Sequence, residues 1–433
     1  MSENKKKDIN DVCIVGDGFA GLNSARLLAK KGINCKLYSK GYGASQLWVG
    51  TFDFLDYDGK NLQDAYNNFL NDFPSHPYQN ISYNEIETSF NDFFQEFPDL
   101  VSFVENGHYL NKSVLTLIGN LKPCIGIWNS ICNDYKGFSS DTIVLLIDFQ
   151  EFNNSAMNLV AKGLRNIYKS LFKVIRLSFS KLLTHWGVNI NQTKHEKLSD
   201  FRIGNYFDTH YNNLNQFTDY LLTELQDSCP ETERDKIQLI LFPPILGIKK
   251  NKEILGSLEN LLGIRCKELV AFSPSLMSNR LMGIFDSKLE SLSVDRKKRL
   301  ELIDLKKGKN KGNMIWELKF KNSKGLNEVI YSKYVILSTG SVFTTGLFEN
   351  LDNLEKKFND LNIHIPNKLS QNFEISFDNI GIESHLFVCG AASYLLCDNV
   401  NDELEVEYGT GLGLAISTSH KISNYISNKI KKG

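Results

Sequence analysis

The chain has 433 residues, of which 42% are hydrophobic and 23% are charged, so it is long enough for two domains and apolar enough to bury a core in each. Its 49 Lys and Arg side chains almost balance its 50 Asp and Glu side chains. This balance excludes the strong basic field that favours nucleic acid or an anionic membrane surface. We therefore expect a globular protein without a nucleic-acid partner.

The cysteines and the apolar runs narrow the class further. The eight cysteines contain no CxxC pair, so we expect no metal site or iron–sulfur cluster and predict buried, reduced thiols. The N-terminal sequence lacks the apolar core of a signal peptide. The apolar stretch at residues 237–248 contains Pro243-Pro244 and falls short of the roughly 20 residues that a spanning helix needs. We expect a cytoplasmic protein that reaches the inner face of a membrane only through a partner.

The first predicted elements form a nucleotide-binding pattern. Val12-Cys13-Ile14-Val15 is a continuous apolar run, typical of a buried parallel strand, and a GxGxxG run at residues 16–21 follows directly. Apolar residues then recur at helical spacing until Gly32, and Cys35-Lys36-Leu37-Tyr38 is predicted to be the second strand. This order predicts the first βαβ unit of a Rossmann-like α/β fold.

Each glycine of the GxGxxG run has a separate role in such a fold. Gly16 permits the tight turn, Gly18 lets a phosphate approach the backbone, and Gly21 lets the helix pack on the strand. The helix N-terminus adds free N–H groups and the positive end of the helix dipole. Because the run follows a strand and opens a helix, it predicts a phosphate-bearing cofactor.

The acidic residue that usually binds the adenosine ribose is missing. About 20 residues after the motif, where such folds carry Asp or Glu, this chain has Ser39-Lys40. Two interpretations stay open: a weaker serine contact to a full dinucleotide such as FAD, or a mononucleotide such as FMN, which has no adenosine ribose. Lys40 could pair with a phosphate in either case or remain solvated.

The middle of the chain predicts an insertion. From about residue 60 the sequence becomes aromatic, Asn-rich and helical, and residues 142–147 and 237–242 are further buried-strand candidates. Around residues 300–330 the pattern alternates between Lys/Asn/Gly-rich turns, which predicts antiparallel hairpins. Tyr334-Val335-Ile336-Leu337 then returns the chain to the nucleotide-binding sheet. The predicted domains are a flavin-binding domain at residues 1–59 and 326–433 and a large inserted α/β domain at residues 60–325.

Later glycine-rich turns complete the prediction of a flavin site. The small residues at 41–53 could cross a flavin ring, although a plain turn-rich connection explains the same pattern. The glycine set at residues 409–413 opens a last helix, whose N-terminus can stabilise negative charge on a reduced flavin. The residues assigned to the cofactor are Gly16, Gly18, Phe19, Ala20, Gly21, Ser39, Lys40, Gly50, Thr51, Thr339, Gly340, Gly390, Gly411 and Gly413.

An ordered set of short motifs runs nearly end to end along the chain. The motifs are Ala44-Ser45, Val49-Gly50-Thr51-Phe52-Asp53, His76-Pro77-Tyr78, Leu146-Ile147-Asp148-Phe149-Gln150, Leu246-Gly247, Ser273-Pro274-Ser275, Asn279-Arg280-Leu281, Leu337-Ser338-Thr339-Gly340-Ser341-Val342-Phe343 and the strand at residues 386–390. On these motifs the chain resembles the B subunits of anaerobic glycerol-3-phosphate dehydrogenases, a family of flavoproteins in the glutathione-reductase-like superfamily.

The resemblance implies a protein that holds noncovalent FMN, with FAD as the alternative, beside a catalytic FAD subunit and an iron–sulfur subunit. In such a complex glycerol 3-phosphate is oxidised to dihydroxyacetone phosphate, and electrons pass toward a quinone or another acceptor. Two features depart from the family pattern. Asp17 stands where the family usually has glycine, and its carboxylate would repel a phosphate unless it points away; residues 398–407 form an acidic loop, typical of a solvated surface.

Two other functions remain open: a stand-alone flavin oxidoreductase that acts on another small substrate, and a flavin-free scaffold within a complex. Direct catalysis on a phosphorylated polyol would need cationic side chains and a histidine facing the flavin. No motif assigns a catalytic role to any of the candidates, which are His76, His108, Arg280 and His385.

Overall fold

The computed structural model describes residues 9–41, 43–134, 141–154, 156–188, 197–310, 312–340, 370–375, 383–396 and 411–432. The strands of these residues are β1 (Ile9–Val15), β2 (Cys35–Ser39), β3 (Thr51–Phe52), β4 (Leu100–Ser102), β5 (Val104–Glu105), β6 (His108–Tyr109), β7 (Lys112–Leu115), β8 (Leu121–Cys124), β9 (Gly126–Trp128), β10 (Ile143–Phe149), β11 (Leu171–Leu177), β12 (Ile237–Phe242), β13 (Arg265–Glu268), β14 (Asp295–Lys298), β15 (Leu300–Asn310), β16 (Asn313–Asn322), β17 (Asn327–Leu337) and β18 (Leu386–Val388).

Their α-helices are α1 (Phe19–Lys30), α2 (Leu62–Asp72), α3 (Tyr83–Glu96), α4 (Met157–Ile167), α5 (Phe179–His185), α6 (Asp200–Thr209), α7 (Leu214–Ser228), α8 (Glu231–Arg234), α9 (Asn251–Leu262), α10 (Leu276–Ser291) and α11 (Leu412–Lys432). Short 3₁₀ helices lie at Ala44–Leu47, Pro77–Asn80, Tyr211–Asn213 and Gly390–Leu396.

The chain forms two compact units. Unit one comprises Met1–Ser45, Phe52–Phe97 and Ile284–Gly433, and unit two comprises Gln46–Thr51 and Pro98–Gly283. Residues 60–97 and 284–325, which the sequence assigns to the insertion, group with unit one. The reason is pairing and packing over long sequence distances: β14 hydrogen-bonds to β2, and α3 packs on α11.

The main sheet of unit one has the strand order β14-β2-β1-β17-β16-β15, with β18 paired to β17. The pairs β14–β2, β2–β1, β1–β17 and β17–β18 are parallel, whereas β15, β16 and β17 form antiparallel hairpins. The predicted βαβ unit and the predicted hairpins are thereby confirmed. A parallel sheet whose first strand ends in a glycine turn and leads into a helix is a Rossmann-type nucleotide-binding arrangement.

Helix α1 is fixed in unit one by polar contacts as well as apolar packing. Gly32, with φ of 75°, lies directly after the turn that ends the helix, as predicted. The buried Asn23 donates to Ser419 Oγ of α11 at 2.7 Å. The buried guanidinium of Arg26 donates to Asp92 at 2.8 Å and to Glu96 at 3.2 Å, both on α3. These contacts fix the middle of α1 against α11 and α3.

Glu96 makes the stability of unit one sensitive to acid. Burial raises the pKa of this carboxyl, but hydrogen bonds from Lys288 and Lys30 and the charge of Arg26 lower it to about 2. A lowered pKa contributes stability above the ordinary value of 4.5, and that stability is lost as the pH falls toward about 2. When the pH falls from about 6 to about 3, we expect the free energy of unfolding to decrease less in the Glu96→Gln variant than in the unchanged chain. Urea unfolding at each pH measures this difference. Equal losses in both proteins would contradict this role.

Unit two contains a parallel four-stranded sheet with the order β11-β10-β12-β13. Every residue of β10 is buried, and apolar clusters cover both faces of the sheet. Shorter antiparallel pairs join β4 to β9, β5 to β6 and β7 to β8. The strands predicted at residues 142–147 and 237–242 are therefore confirmed as buried strands of an α/β sheet.

The cysteine side chains and the hydropathy of the helices complete the description of the fold. The cysteines at positions 13, 35, 124, 132, 229, 266 and 389 are buried free thiols, and Cys397 lies outside the described residues. Within the part of the chain that the structure describes, no helix combines the length and the apolar character needed to cross a membrane.

Candidate cofactor site

Two glycines at the junction of β1 and α1 leave no room for a side chain. Gly16 has φ of 113°, and a Cβ atom there would lie 2.2 Å from the backbone oxygen of Ser338. A Cβ atom on Gly21 would lie 1.9 Å from the backbone oxygen of Gly16. Contact distances this short cannot occur, so both positions exclude every larger side chain. The roles that the sequence assigns to Gly16 and Gly21 fit this geometry.

Gly18, by contrast, is not crowded by the described residues. It is the N-cap of α1, and among those residues no side chain caps the helix there. A Cβ atom at Gly18 would lie 3.9 Å from the hydroxyl oxygen of Ser45, which is ordinary van der Waals contact. The side chain of Phe19 packs into an aromatic cluster with Phe52 and Phe285, at centroid distances of 6.0 and 5.4 Å. Phe19 can therefore face a ligand only through its backbone N–H.

The ends of β17 and β18 lie beside this turn. Ser338, directly after β17, donates its hydroxyl to the backbone oxygens of Val15 and Gly16, each at 3.0 Å. Gly390 follows β18 with φ of 67°, and a Cβ atom there would lie 2.7 Å from the Cβ of Ala20. Three turns that are far apart in the sequence are thus brought together at the N-terminus of α1.

Thr339 and Gly340 continue the turn after β17. Gly340 has φ of 79°, a left-handed conformation that favours glycine. The Thr339 hydroxyl oxygen is buried and has no hydrogen-bond partner among the described residues. A buried hydroxyl without a hydrogen-bond partner destabilises the folded protein, and a ligand that forms the missing hydrogen bond would remove this cost. The Thr339 hydroxyl therefore fits a ligand-facing role.

The start of α11 packs on the loop that follows β3. Gly413 donates its backbone N–H to the backbone oxygen of Asp53 at 3.2 Å, and a Cβ atom there would lie 2.8 Å from Phe54. A Cβ atom on Gly411 would lie 3.4 Å from the Asp53 oxygen, and the residue itself is exposed. Close packing therefore accounts for Gly413, and its assignment to the cofactor remains a prediction. Gly409 and the acidic loop at residues 398–407 lie outside the described residues.

Asp17 does not place an unpaired charge at the glycine turn between β1 and α1. Its side chain is only 2% exposed, and Arg296 of β14 contacts Oδ1 through Nη2 at 2.6 Å and through Nε at 2.9 Å. Burial raises the pKa of the Asp17 carboxyl, and the hydrogen bond and charge of Arg296 act in the opposite direction. The carboxylate is directed toward β14 and neutralised there, which resolves the repulsion that the sequence raises.

Ser39 and Lys40, at the predicted ribose position, already have partners in the protein. Ser39 is buried, and its hydroxyl donates to Oδ2 of Asp17 at 3.4 Å. Lys40 forms an exposed ion pair with Glu301 at 3.0 Å. The end of β2 therefore offers neither a carboxylate nor an uncommitted cation to an adenosine ribose.

Gly50 and Thr51 belong to unit two. Gly50 has φ of 107°, and a Cβ atom there would lie 2.5 Å from the Cδ1 of Ile131. Thr51 accepts a hydrogen bond from Lys122 Nζ at 2.9 Å. Contacts inside unit two account for both residues, and their predicted cofactor contacts stay a prediction.

The catalytic candidates have structural surroundings. His76 is buried and accepts the backbone N–H of Tyr78 at 3.1 Å. His385 stacks on Tyr334 with ring centroids 4.5 Å apart. Arg280 and Glu268, both with 0% side-chain exposure, form an ion pair at 2.6 Å in unit two. His108 is exposed on the short strand β6. None of these four environments indicates a catalytic role.

Sequence reasoning missed two members of the site: Arg296, which neutralises Asp17, and Ser45, whose hydroxyl lies opposite Gly18. Arg296 is part of a Lys/Arg-rich strand whose sequence is typical of a solvated surface, so no local signal identifies it. Ser45 could have been noticed as a hydroxyl within a loop of small residues.

The fold and the glycine turn define the class of the protein: an α/β protein whose unit one has a Rossmann-type fold with a glycine turn between β1 and α1. The chain resembles proteins named as the B subunit of anaerobic glycerol-3-phosphate dehydrogenase. It is 23% identical to that of Mannheimia succiniciproducens, over 97% of this chain and 98% of the relative, and 23% identical to that of Actinobacillus pleuropneumoniae, over 82% and 79%. The Haemophilus influenzae protein of the same name is 24% identical, over 79% and 78%. No protein-family model matches the chain.

Among solved structures, the chain is similar to the crystal structure of Thermovibrio ammonificans THI4, with 9% identity and a TM-score of 0.38 over 98% of this chain and 90% of that one. A flavoprotein/dehydrogenase from Cytophaga hutchinsonii is also 9% identical, with a TM-score of 0.24 over 77% and 40%.

Proposed function

We propose that this chain is the flavin-containing subunit of a glycerol-3-phosphate dehydrogenase complex. In this proposal glycerol 3-phosphate is oxidised to dihydroxyacetone phosphate, and the chain passes the electrons toward a quinone or another acceptor. The observation that carries the proposal is the meeting of the turns at Gly16, Ser338 and Gly390 around the N-terminus of α1. The consistent name of the curated relatives supports the choice of substrate.

The residues at the turn fit the phosphate of a flavin nucleotide. The first N–H groups of α1 have no capping side chain among the described residues, and the helix dipole adds a positive end there. Thr339 and Gly340 can position the remainder of the cofactor. A bound flavin supplies the electron-transfer chemistry, while the protein binds it, orients it and sets its surroundings.

We favour FMN over FAD for this site. A dinucleotide needs a group that accepts hydrogen bonds from the adenosine ribose at the end of β2. The hydroxyl of Ser39 is there and donates to Asp17, so it offers the ribose only the lone pairs of a neutral oxygen, which accept hydrogen bonds less strongly than a carboxylate does. FMN has no adenosine ribose and places no demand on this position. The same contacts make a weak serine interaction with FAD the less favourable alternative.

The partners in this proposal are a catalytic FAD subunit and an iron–sulfur subunit, and the complex reaches the membrane only through a partner. The relatives are named as one subunit of a dehydrogenase, which supports an assembly of several chains. Because the surroundings of His76, His108, Arg280 and His385 indicate no catalytic role, we place substrate oxidation on the partner and electron transfer on this chain.

Anaerobic absorbance measurements test this division of labour. We expect glycerol 3-phosphate to bleach the flavin bands of the purified chain only after the catalytic partner is added, because this chain lacks an identified base for substrate oxidation. Dithionite, which reduces flavins without a substrate site, serves as the control for a reducible cofactor. Bleaching of the isolated chain by glycerol 3-phosphate would instead show direct catalysis and favour a stand-alone oxidoreductase.

A further inference from the structure

Ser45 has an unusual environment for a serine in a loop. It lies in the short 3₁₀ helix at Ala44–Leu47 and is only 6% exposed. Its hydroxyl oxygen is buried and has no hydrogen-bond partner among the described residues. Most buried hydroxyls in proteins are hydrogen-bonded, because an unsatisfied one costs about 1–3 kcal/mol. A ligand that accepts this hydrogen bond would remove that cost.

The position of Ser45 identifies the kind of ligand. Its Oγ lies 3.9 Å from the point that a Cβ atom of Gly18, the N-cap of α1, would occupy. Gly43 holds the loop against the turn, since a Cβ atom there would lie 3.1 Å from the Cα of Gly18. Helix α1 has 12 residues, and no side chain caps its N-terminus. The helix N–H groups and the Ser45 hydroxyl are therefore all donors around one space, which suits an anion.

We propose that Ser45 is the side-chain ligand of the cofactor phosphate and donates its hydroxyl hydrogen to a phosphate oxygen at the N-terminus of α1. The assignment rests on the proposed flavin function, but it holds for FMN and FAD alike because both carry a phosphate on the ribityl chain. The nearby Lys40 is paired with Glu301, so the site uses neutral donors at this point.

The comparison of FMN with riboflavin tests this role, because riboflavin is the same flavin without the phosphate. We expect Ser45→Ala to weaken FMN binding by about 10- to 100-fold, the range for a hydrogen bond to a charged group. Riboflavin binding should change by less than about twofold. Both dissociation constants can be measured by quenching of flavin fluorescence in the full chain.

Ser423→Ala is the matched control. Ser423 of α11 is also buried with a hydroxyl oxygen that has no partner among the described residues, but it lies far along the helix from the phosphate turn. Neither variant should unfold, because each removes a buried unsatisfied hydroxyl. Unchanged FMN affinity in Ser45→Ala, or an equal loss of affinity for FMN and riboflavin, would overturn the assignment of Ser45 but not the proposed flavin function. Failure of the unchanged chain to bind any flavin would overturn the proposed function together with it.

Discussion

Replacing Arg296 with leucine is expected to lower the free energy of unfolding by about 3–5 kcal/mol, because it leaves the Asp17 carboxylate buried without its partner. Asp17 is 2% exposed and receives two contacts from Arg296, at 2.6 and 2.9 Å. Without Arg296 the charge of Lys298 still favours the carboxylate but burial opposes it, so the fold must either keep a poorly compensated charge or protonate it. Urea unfolding at neutral pH measures the loss.

The double variant Asp17→Gly/Arg296→Leu is the control for this expectation. Removing both charges should recover most of the lost stability, since buried pairs are often replaceable once both members are removed. The part of the stability that is recovered measures the cost of the uncompensated charge, and the part that is not recovered measures the lost packing of the arginine side chain. A single Arg296→Leu variant that is as stable as the unchanged chain would show that the ion pair does not form in solution.

Replacing Gly21 with alanine is expected to weaken flavin binding and to destabilise unit one by about 3 kcal/mol or more, because overpacking against backbone cannot relax by rotation of a side chain. The added Cβ would lie 1.9 Å from the Gly16 oxygen and 2.6 Å from Ser338 Oγ. Relief requires α1 to move away from β1, which displaces the helix N–H groups that the proposed phosphate would contact. Flavin affinity should therefore fall by at least about tenfold. Calorimetry and fluorescence titration measure the two effects.

Gly256→Ala provides a matched helical control. Gly256 lies within α9, and an added Cβ would meet nothing within 4 Å. Alanine there should raise stability by about 0.5–1 kcal/mol through helix propensity alone and leave flavin binding unchanged. If Gly21→Ala behaved like Gly256→Ala, the close approach of α1 to the turn would be wrong.

Much of the glycine turn at residues 16–21 could be predicted because the sequence patterns that indicate it lie close together in the chain. The apolar run of β1, the three glycines and the stop at Gly32 lie within about one βαβ unit, and the structure has each element where the pattern predicts it. The hairpins of β15, β16 and β17 are also local, with short turns between alternating segments.

The remainder of the site depends on contacts over long sequence distances, for which a single sequence carries no pattern. Asp17 and Arg296 are 279 residues apart, and the sequence around neither residue indicates that the two form an ion pair. Strand β14 belongs to the main sheet because it pairs with β2. Composition does not reveal this pairing, and the sequence therefore predicts that β14 belongs to the insertion. The burial of Ser45 likewise follows from the approach of Gly43 to Gly18, which only the folded chain shows.

Identification of the bound cofactor tests the central claim most directly. The purified chain, incubated with FMN and FAD together and freed of unbound ligand, should show the flavin absorbance bands. Mass spectrometry of the cofactor released by denaturation should then find stoichiometric FMN and little FAD. A chain without flavin absorbance after this incubation would contradict the account, and a chain that retained FAD in preference to FMN would contradict the role given to Asp17, Ser39 and Arg296 at the end of β2.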